Sequence, residues 1–216
     1  MIRRVLSQEN LPRLWYLYQK VAGFIFGGNG AKKDIVRNLY GGETELLEIG
    51  CSVGLIAEHF LNIENVRYTG IDIDGKAIDV AKERFAGKDN FRFFCESISS
   101  FKNNSDRLFD VVMIFGMLHH VEDSVAQELL PDVVSLLSER GRVVIYDLLE
   151  PEENGSLLAK IIVKHFERGR NLRKSSDFKE LIQKSLPLDL VHYRVIPVTT
   201  CLGYPVASYF VEAVFT

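Results

Sequence analysis

The chain has 216 residues, 47% of them hydrophobic and 25% charged, and its 26 Lys and Arg against 29 Asp and Glu leave a net charge of −3. This balance excludes a disordered chain, which carries fewer apolar side chains and more net charge. It also excludes a globally basic surface for duplex nucleic acid, so no nucleic acid partner is expected. No apolar run reaches the roughly 20 residues of a membrane span, and Met1–Asn10 shows no apolar leader. Cys51, Cys95 and Cys201 are scattered, with no CxxC spacing. Neither a disulfide frame nor a metal site is expected, and a reducing, cytoplasmic setting is.

In chain order, Leu11–Leu39 reads as two helices broken by the glycine-rich Phe24–Gly30, with Trp15, Tyr16, Tyr18, Phe24 and Phe26 as candidate packing or stacking aromatics. Short apolar runs then alternate with amphipathic stretches, the pattern of parallel βαβ units. The strand candidates are Glu45–Ile49, Val66–Ile71, Phe91–Phe94, Asp110–Ile114 and Arg142–Asp147. Helices are predicted over Val53–Leu61, Gly75–Phe85 and Ser124–Ser138, with Asp74 as a candidate cap and Gly141 as a positive-φ residue after the third. Beyond Asp147 the spacing predicts an amphipathic helix over Asn154–Arg168 and another over Ser176–Ser185, capped by Ser176 or Asp177. Leu190–Val198 and Ala207–Phe215, separated by Gly203 and Pro205, read as an antiparallel pair. No linker marks a second domain, so residues 1–216 are expected to form one.

The turn Glu48-Ile49-Gly50-Cys51-Ser52-Val53-Gly54 ends the first strand. Gly50 permits a backbone that a β-carbon would obstruct, and Gly54 allows close packing. Ligands of open α/β sheets bind at such strand ends, beside the point where strand order reverses. A dinucleotide fingerprint lacks its second and third glycines, because Ser52 and Leu55 stand there. A G-x-S-x-G nucleophile elbow matches literally, with Ser52 as nucleophile and Asp147 and His192 downstream, but it normally follows several strands and here follows the first.

The same turn resembles motif I of the class I S-adenosyl-L-methionine (SAM)-dependent methyltransferases, with Glu48, Gly50 and Gly54 matching and Ser52 replacing the middle glycine. The resemblance continues through Tyr68–Asp74, through Phe93–Ile98, through Phe109-Asp110-Val111-Val112 to Leu118-His119-His120-Val121, and through Ser138–Ile145. Five motifs in order resemble the small-molecule branch, of the methyltransferase type 11/12 kind.

The resemblance implies a Rossmann-like three-layer α/β sandwich. Its seven-stranded, mostly parallel sheet would end in an antiparallel hairpin. Residues 1–42 would form an N-terminal helical lid, 43–147 the cofactor core, 151–186 a helical insertion and 187–216 the hairpin. SAM would be the cofactor and S-adenosyl-L-homocysteine (SAH) the product. Glu48 would meet the methionine amino group, with Gly50, Cys51, Ser52 and Gly54 lining that moiety. Asp72 would take the ribose hydroxyls, with Ile73 beside it. Glu96 would meet the adenine amino group, flanked by Ser97 and Ile98. Phe115, Gly116 and Met117 would stand at the methyl-bearing end, where His119 or His120 could serve as general base. No metal is implied.

A small, apolar or anionic acceptor is expected, and its reacting atom and the oligomeric state stay open. Lys160, Lys164, Arg168, Arg170, Arg173 and Lys174 make 157–174 basic and amphipathic, either a lid with a solvated face or a peripheral contact for anionic lipid. The other functions consistent with these motifs are a SAM-binding domain without turnover, a SAM-using enzyme that transfers another group, and the serine hydrolase.

Overall fold

The structure is a computed structural model. It describes Arg13, Leu14, Tyr16, Leu17 and residues 40–151, 171–199 and 205–216. The predicted helix over Asn154–Arg168 and most of the Leu11–Leu39 region, including Trp15, Tyr18, Phe24 and Phe26, lie outside the described residues.

Seven strands form one sheet: β1 (Glu45–Ile49), β2 (Arg67–Asp72), β3 (Phe91–Cys95), β4 (Phe109–Phe115), β5 (Leu137–Leu148), β6 (Leu190–Thr199) and β7 (Pro205–Phe215). Their order is β3-β2-β1-β4-β5-β7-β6. The first five are parallel, and β7 runs antiparallel to both β5 and β6. The α/β architecture and the terminal antiparallel pair follow the sequence prediction.

The strands read as continuous apolar runs because both faces of the sheet are covered. Leu47, Ile49, Val112, Ile114, Val143 and Ile145 point into one core. That core is closed by α2 (Ile98–Asn104), α3 (Asp123–Val134) and α4 (Ser175–Ser185). Leu46, Tyr68, Val111, Met113, Val144 and Tyr146 point into the other, with α1 (Gly75–Arg84) and a short 3-10 turn at Ala57–Phe60. Successive side chains alternate between the two cores, as a strand of period two requires.

Several local expectations differ from the structure, among them the helix predicted over Ser124–Ser138, which ends at Val134 and gives way to β5 at Leu137. The helix predicted over Val53–Leu61 is a series of turns ending in the single 3-10 turn Ala57–Phe60. Gly54 at φ +75° stands where regular helix would continue, and it breaks it. The short helix α2 was not predicted, because only Ile98 and Phe101 of its seven residues are buried and apolar. Neither Ser176 nor Asp177 caps α4. Both lie inside its first turn, and the cap position is Lys174, without a side-chain cap bond. Gly141 lies within β5 rather than after a helix, and its φ is not positive.

What Gly141 supplies is room. A β-carbon there would lie 2.7 Å from the Phe109 carbonyl oxygen and 3.0 Å from both Leu137 Cβ and Ser138 N, at the register shift between β4 and β5. Forcing backbone apart in a packed core costs about 1–3 kcal/mol. Gly141→Ala is therefore expected to lower stability by about that amount, read as a lower urea midpoint with an unchanged slope.

Candidate cofactor site

The sheet order reverses at β1, which lies between β2 and β4. The carboxyl ends of these strands define the crevice where open α/β sheets bind ligands. Gly50 leaves β1 at φ +75°, and its N–H and that of Cys51 both bond the Ile71 carbonyl, at 2.9 and 3.0 Å. The turn is thus tied to the end of β2. A β-carbon on Gly50 would lie 2.8 Å from Met117 Cγ, so this glycine lets the loop after β4 approach motif I.

Asp72 ends β2, and its two carboxylate oxygens are held separately. Ser52 N–H donates to Oδ2 at 2.7 Å, and Asp74 N–H donates to Oδ1 at 2.9 Å. Burial raises the Asp72 carboxyl above its usual range, and the bonds from Asp74 and Ser52 oppose that rise. A raised native value means the ionised carboxylate opposes folding near neutrality, and that cost disappears as pH falls below the unfolded-state value. Asp74 caps α1, accepting from Lys76 N–H and Ala77 N–H.

Glu48 is buried at 2% exposure and accepts a hydrogen bond from the Tyr68 hydroxyl. Cys51 is buried as well. Burial first, then Glu48 and Asp72, push its thiol well up, which keeps it protonated and unreactive. Ile73, by contrast, is 79% exposed directly after Asp72, an apolar surface suited to covering by a flat ligand. Glu96 accepts from the Ser100 hydroxyl and the Asn104 amide, each at 3.3 Å. Ser97 caps α2 by accepting from Ser100 N–H. Ile98 is buried in the core beside Phe101.

On the other side of the crevice, Phe115 is buried and Gly116 adopts φ +65°. Asp147, fully buried at the end of β5, accepts from Leu118 N–H at 2.7 Å and Leu148 N–H at 2.7 Å, and it is bonded to His119 Nδ1. His119 is buried and His120 exposed, with ring centroids 4.0 Å apart. The Ser52–Asp147–His192 arrangement of a hydrolase does not assemble. Asp147 is engaged by His119, while His192 lies 3.7 Å from Glu212.

Arg173 escaped the sequence analysis, where it read as one of six basic residues on a solvated or lipid-facing face. It is buried. Its guanidinium donates to the Leu118, Val121 and Asn171 carbonyls at 2.8, 2.8 and 3.1 Å and to Asp123 at 2.7 Å. Asn171 N–H reaches the His119 carbonyl at 3.1 Å. The turn carrying His119 is therefore clamped from two sides. Lys160, Lys164, Arg168 and Arg170 lie outside the described residues. Tyr16 packs rather than presenting a bare ring. Its hydroxyl donates to Glu58 at 2.6 Å, and Arg84 lies 3.9 Å over the ring while also donating to the Val53 carbonyl.

The groups present fit SAM. Two carboxylates end neighbouring strands, one buried and one held with its oxygens apart, and each oxygen has two lone pairs to offer. A glycine turn that a β-carbon would fill runs between them. Among the described residues, no cluster of three or more His, Cys, Asp or Glu could hold a metal, and no helix is long and apolar enough to cross a membrane.

Comparisons with known proteins bear on the fold. Residues 46–141 match a family model described as a methyltransferase domain. The ribosomal protein L11 methyltransferase of Staphylococcus haemolyticus is 27% identical over 123 residues, 55% of this chain and 36% of that protein. Among solved structures, the pyocyanin biosynthetic protein PhzM aligns with a TM-score of 0.72 at 14% identity, covering 99% of this chain and 61% of that one. A TehB-like SAM-dependent methyltransferase from Corynebacterium glutamicum aligns with a TM-score of 0.62 at 21% identity, covering 96% of both chains. The chain thus spans about a third of the curated relative it matches. The match to the methyltransferase-domain model covers residues 46–141, and the solved structures share the fold of this chain.

Two substitutions check the local reading. Ser52 holds φ +50°, a conformation costing a non-glycine residue about 1–2 kcal/mol, partly offset by the greater unfolded-state freedom of glycine. Ser52→Gly is expected to stabilise the protein by about 0.5–1 kcal/mol in urea denaturation. Arg173→Ala should destabilise by about 2–4 kcal/mol, because it strips charge-assisted bonds from three carbonyls. Asp123→Ala should cost under about 1 kcal/mol, since that partner is largely exposed.

Proposed function

We propose that this protein is a SAM-dependent methyltransferase acting on a small-molecule acceptor. The observation that carries the reading is the pair Glu48 and Asp72, on the ends of adjacent strands and flanking the Gly50–Gly54 turn at the strand-order reversal. In this reading, Glu48 binds the amino group of the methionine moiety. Asp72 accepts the ribose hydroxyls, its plane fixed by Ser52 and Asp74. Glu96 faces the adenine amino group. Gly50, Cys51 and Met117 line the path between them.

When bound, SAM supplies an activated methyl group on a good leaving group. The protein's work is then mainly alignment and exclusion of water. Phe115 and Met117 close the site against solvent, and the clamped turn 118–120 sets the far wall. Of the two histidines, His119 is the better candidate for taking a proton from the acceptor. Asp147 holds its Nδ1, and with the proton on Nδ1 the accepting nitrogen would be Nε2, as when a carboxylate orients an imidazole.

Calorimetric titration with SAM and SAH tests the cofactor assignment. Wild type should bind both, and Asp72→Ala should bind at least tenfold more weakly, the loss expected when a carboxylate's bonds to two hydroxyls are removed. Absence of binding by wild type would refute the reading. Ser52→Ala should keep cofactor affinity, an outcome incompatible with an essential Ser52 nucleophile if methyl transfer to any member of an acceptor panel also survives. His119→Asn should slow transfer by about 10²–10⁴-fold while leaving SAH affinity within about twofold, the pattern of a lost general base.

A further inference from the structure

We propose that Arg84 is a positioning residue for cofactor binding, and that the Tyr16 ring laid over it ties the N-terminal segment to cofactor affinity. The inference rests on the cofactor reading above and deepens it. The turn after β1 is unusual backbone: Gly50, Ser52 and Gly54 all have positive φ, at +75°, +50° and +75°. Such a conformation persists only where the surroundings hold it. Ser52 N–H is held by Asp72, just before α1. The Val53 carbonyl, one residue on, accepts from Arg84 Nη1, at the last residue of α1. An acid ahead of the helix and a base at its end thus grip the turn together. Packing adds to this hold, since a β-carbon on Gly54 would lie 3.0 Å from Phe85 Cε2.

The Arg84 guanidinium is engaged both in its plane and on its face. Nη1 donates to the Val53 carbonyl, Nη2 donates to Glu58 Oε1, and the Tyr16 ring centroid lies 3.9 Å from Cζ. The Tyr16 hydroxyl donates to the same Glu58 oxygen at 2.6 Å. Tyr16 also packs on the small cluster of Val53, Ala77 and Val80. The ring therefore holds both the guanidinium and the side chain of the residue whose carbonyl that guanidinium holds. An arginine that only complemented the α1 dipole would serve the last carbonyls of its own helix. This one serves a carbonyl 31 residues away, inside the cofactor turn. A planar guanidinium can serve two acceptors in its plane while a ring covers its face, and a lysine ammonium cannot. A second tie of the same segment, Arg13 to Glu83, is largely exposed, and such pairs contribute little. The coupling therefore runs through Tyr16.

The test is calorimetric titration with SAH, at a temperature well below the melting midpoint of every variant. Arg84→Ala should weaken binding about tenfold, as for loss of a charge-assisted hydrogen bond that fixes the turn. Arg84→Lys should lose nearly as much. Tyr16→Ala should lose about fivefold, the size of a cation–π contact. The double variant should bind within about twofold of Arg84→Ala, because Tyr16 acts through the arginine. Lower melting midpoints with unchanged SAH affinity would make the pair merely structural and overturn the proposal. Full affinity in Arg84→Lys would reduce the role to charge and overturn it too, and additive losses in the double variant would overturn the coupling to Tyr16. Failure of wild type to bind SAH would overturn the cofactor reading and this inference together. Should Arg84→Ala fail to fold, hydrogen exchange in the wild-type protein decides. Coupling between binding free energies is reciprocal, so saturating SAH should slow exchange about fivefold in the peptide that carries Tyr16. Exchange unchanged by SAH overturns the proposal.

Discussion

Glu48 at the end of β1 and Asp147 at the end of β5 are carboxylates almost completely removed from water. A buried carboxylate is tolerated only where donors surround it, and here supplying those donors shapes the loops. Around Asp147 they come from Leu118 N–H, Leu148 N–H and His119, which forces the chain after β4 to turn back toward β5. Around Glu48 a donor comes from Tyr68, which brings a polar atom into an otherwise aromatic cluster. The crevice between these two acids is therefore bounded by walls whose positions are set by satisfied buried charge rather than by loop preference alone.

Arg173 extends the same logic across a longer sequence distance. Leu149 bridges to Arg173, and Glu150 N–H bonds the Arg173 carbonyl. The chain thus leaves and re-enters the core at one point, on either side of 151–172. The arginine side chain then spends its donors on carbonyls of the turn that carries His119. A planar guanidinium can serve several carbonyls at once where a lysine ammonium is a single point of charge. Residues 171–173 are in this way joined to the turn that carries His119, the proposed proton acceptor.

The sheet was legible in the sequence because strands buried on both faces appear as unbroken apolar runs, and β1 and the terminal pair were placed nearly to the residue. The Gly50–Gly54 turn and the Asp74 cap were legible because glycine after a strand and aspartate before a helix favour a turn and a cap, and Asp72 stands at the end of β2, where the resemblance put it. The losses have equally local causes. Residues 53–61 are apolar at helical spacing, yet Gly54 in the left-handed region interrupts the helix that spacing implies. Helix α2 is too polar to announce itself. Gly141 reads as punctuation, although a carbonyl and a neighbouring side chain make it a packing requirement. Arg173 and Tyr68 were hidden for opposite reasons. A basic residue in a basic run looks solvated, and an aromatic residue in a strand looks like core. Only the partner reveals the role in each, and partners distant in sequence leave no local trace.

Those two hidden residues bear on how the proposed site is built. In the proposed reading, the cofactor's amino group and ribose hydroxyls would meet acids whose donors come from strands and from strand-end backbone: Tyr68 for Glu48, Ser52 and Asp74 for Asp72. Such donors are already placed before a ligand arrives, so little side-chain freedom is lost on binding. Acceptor contacts, in contrast, would in this reading fall to the segments outside the sheet, whose ties to the core among the described residues include Arg173 on one side and the Tyr16–Glu58–Arg84 cluster on the other. A constant cofactor and a variable acceptor call for this division. In the proposed reading, the half of the site that would recognise the unchanging partner is built into the sheet, at the strand ends that carry Glu48 and Asp72, and the half that would suit a particular acceptor lies outside it, where residues could change without disturbing those acids.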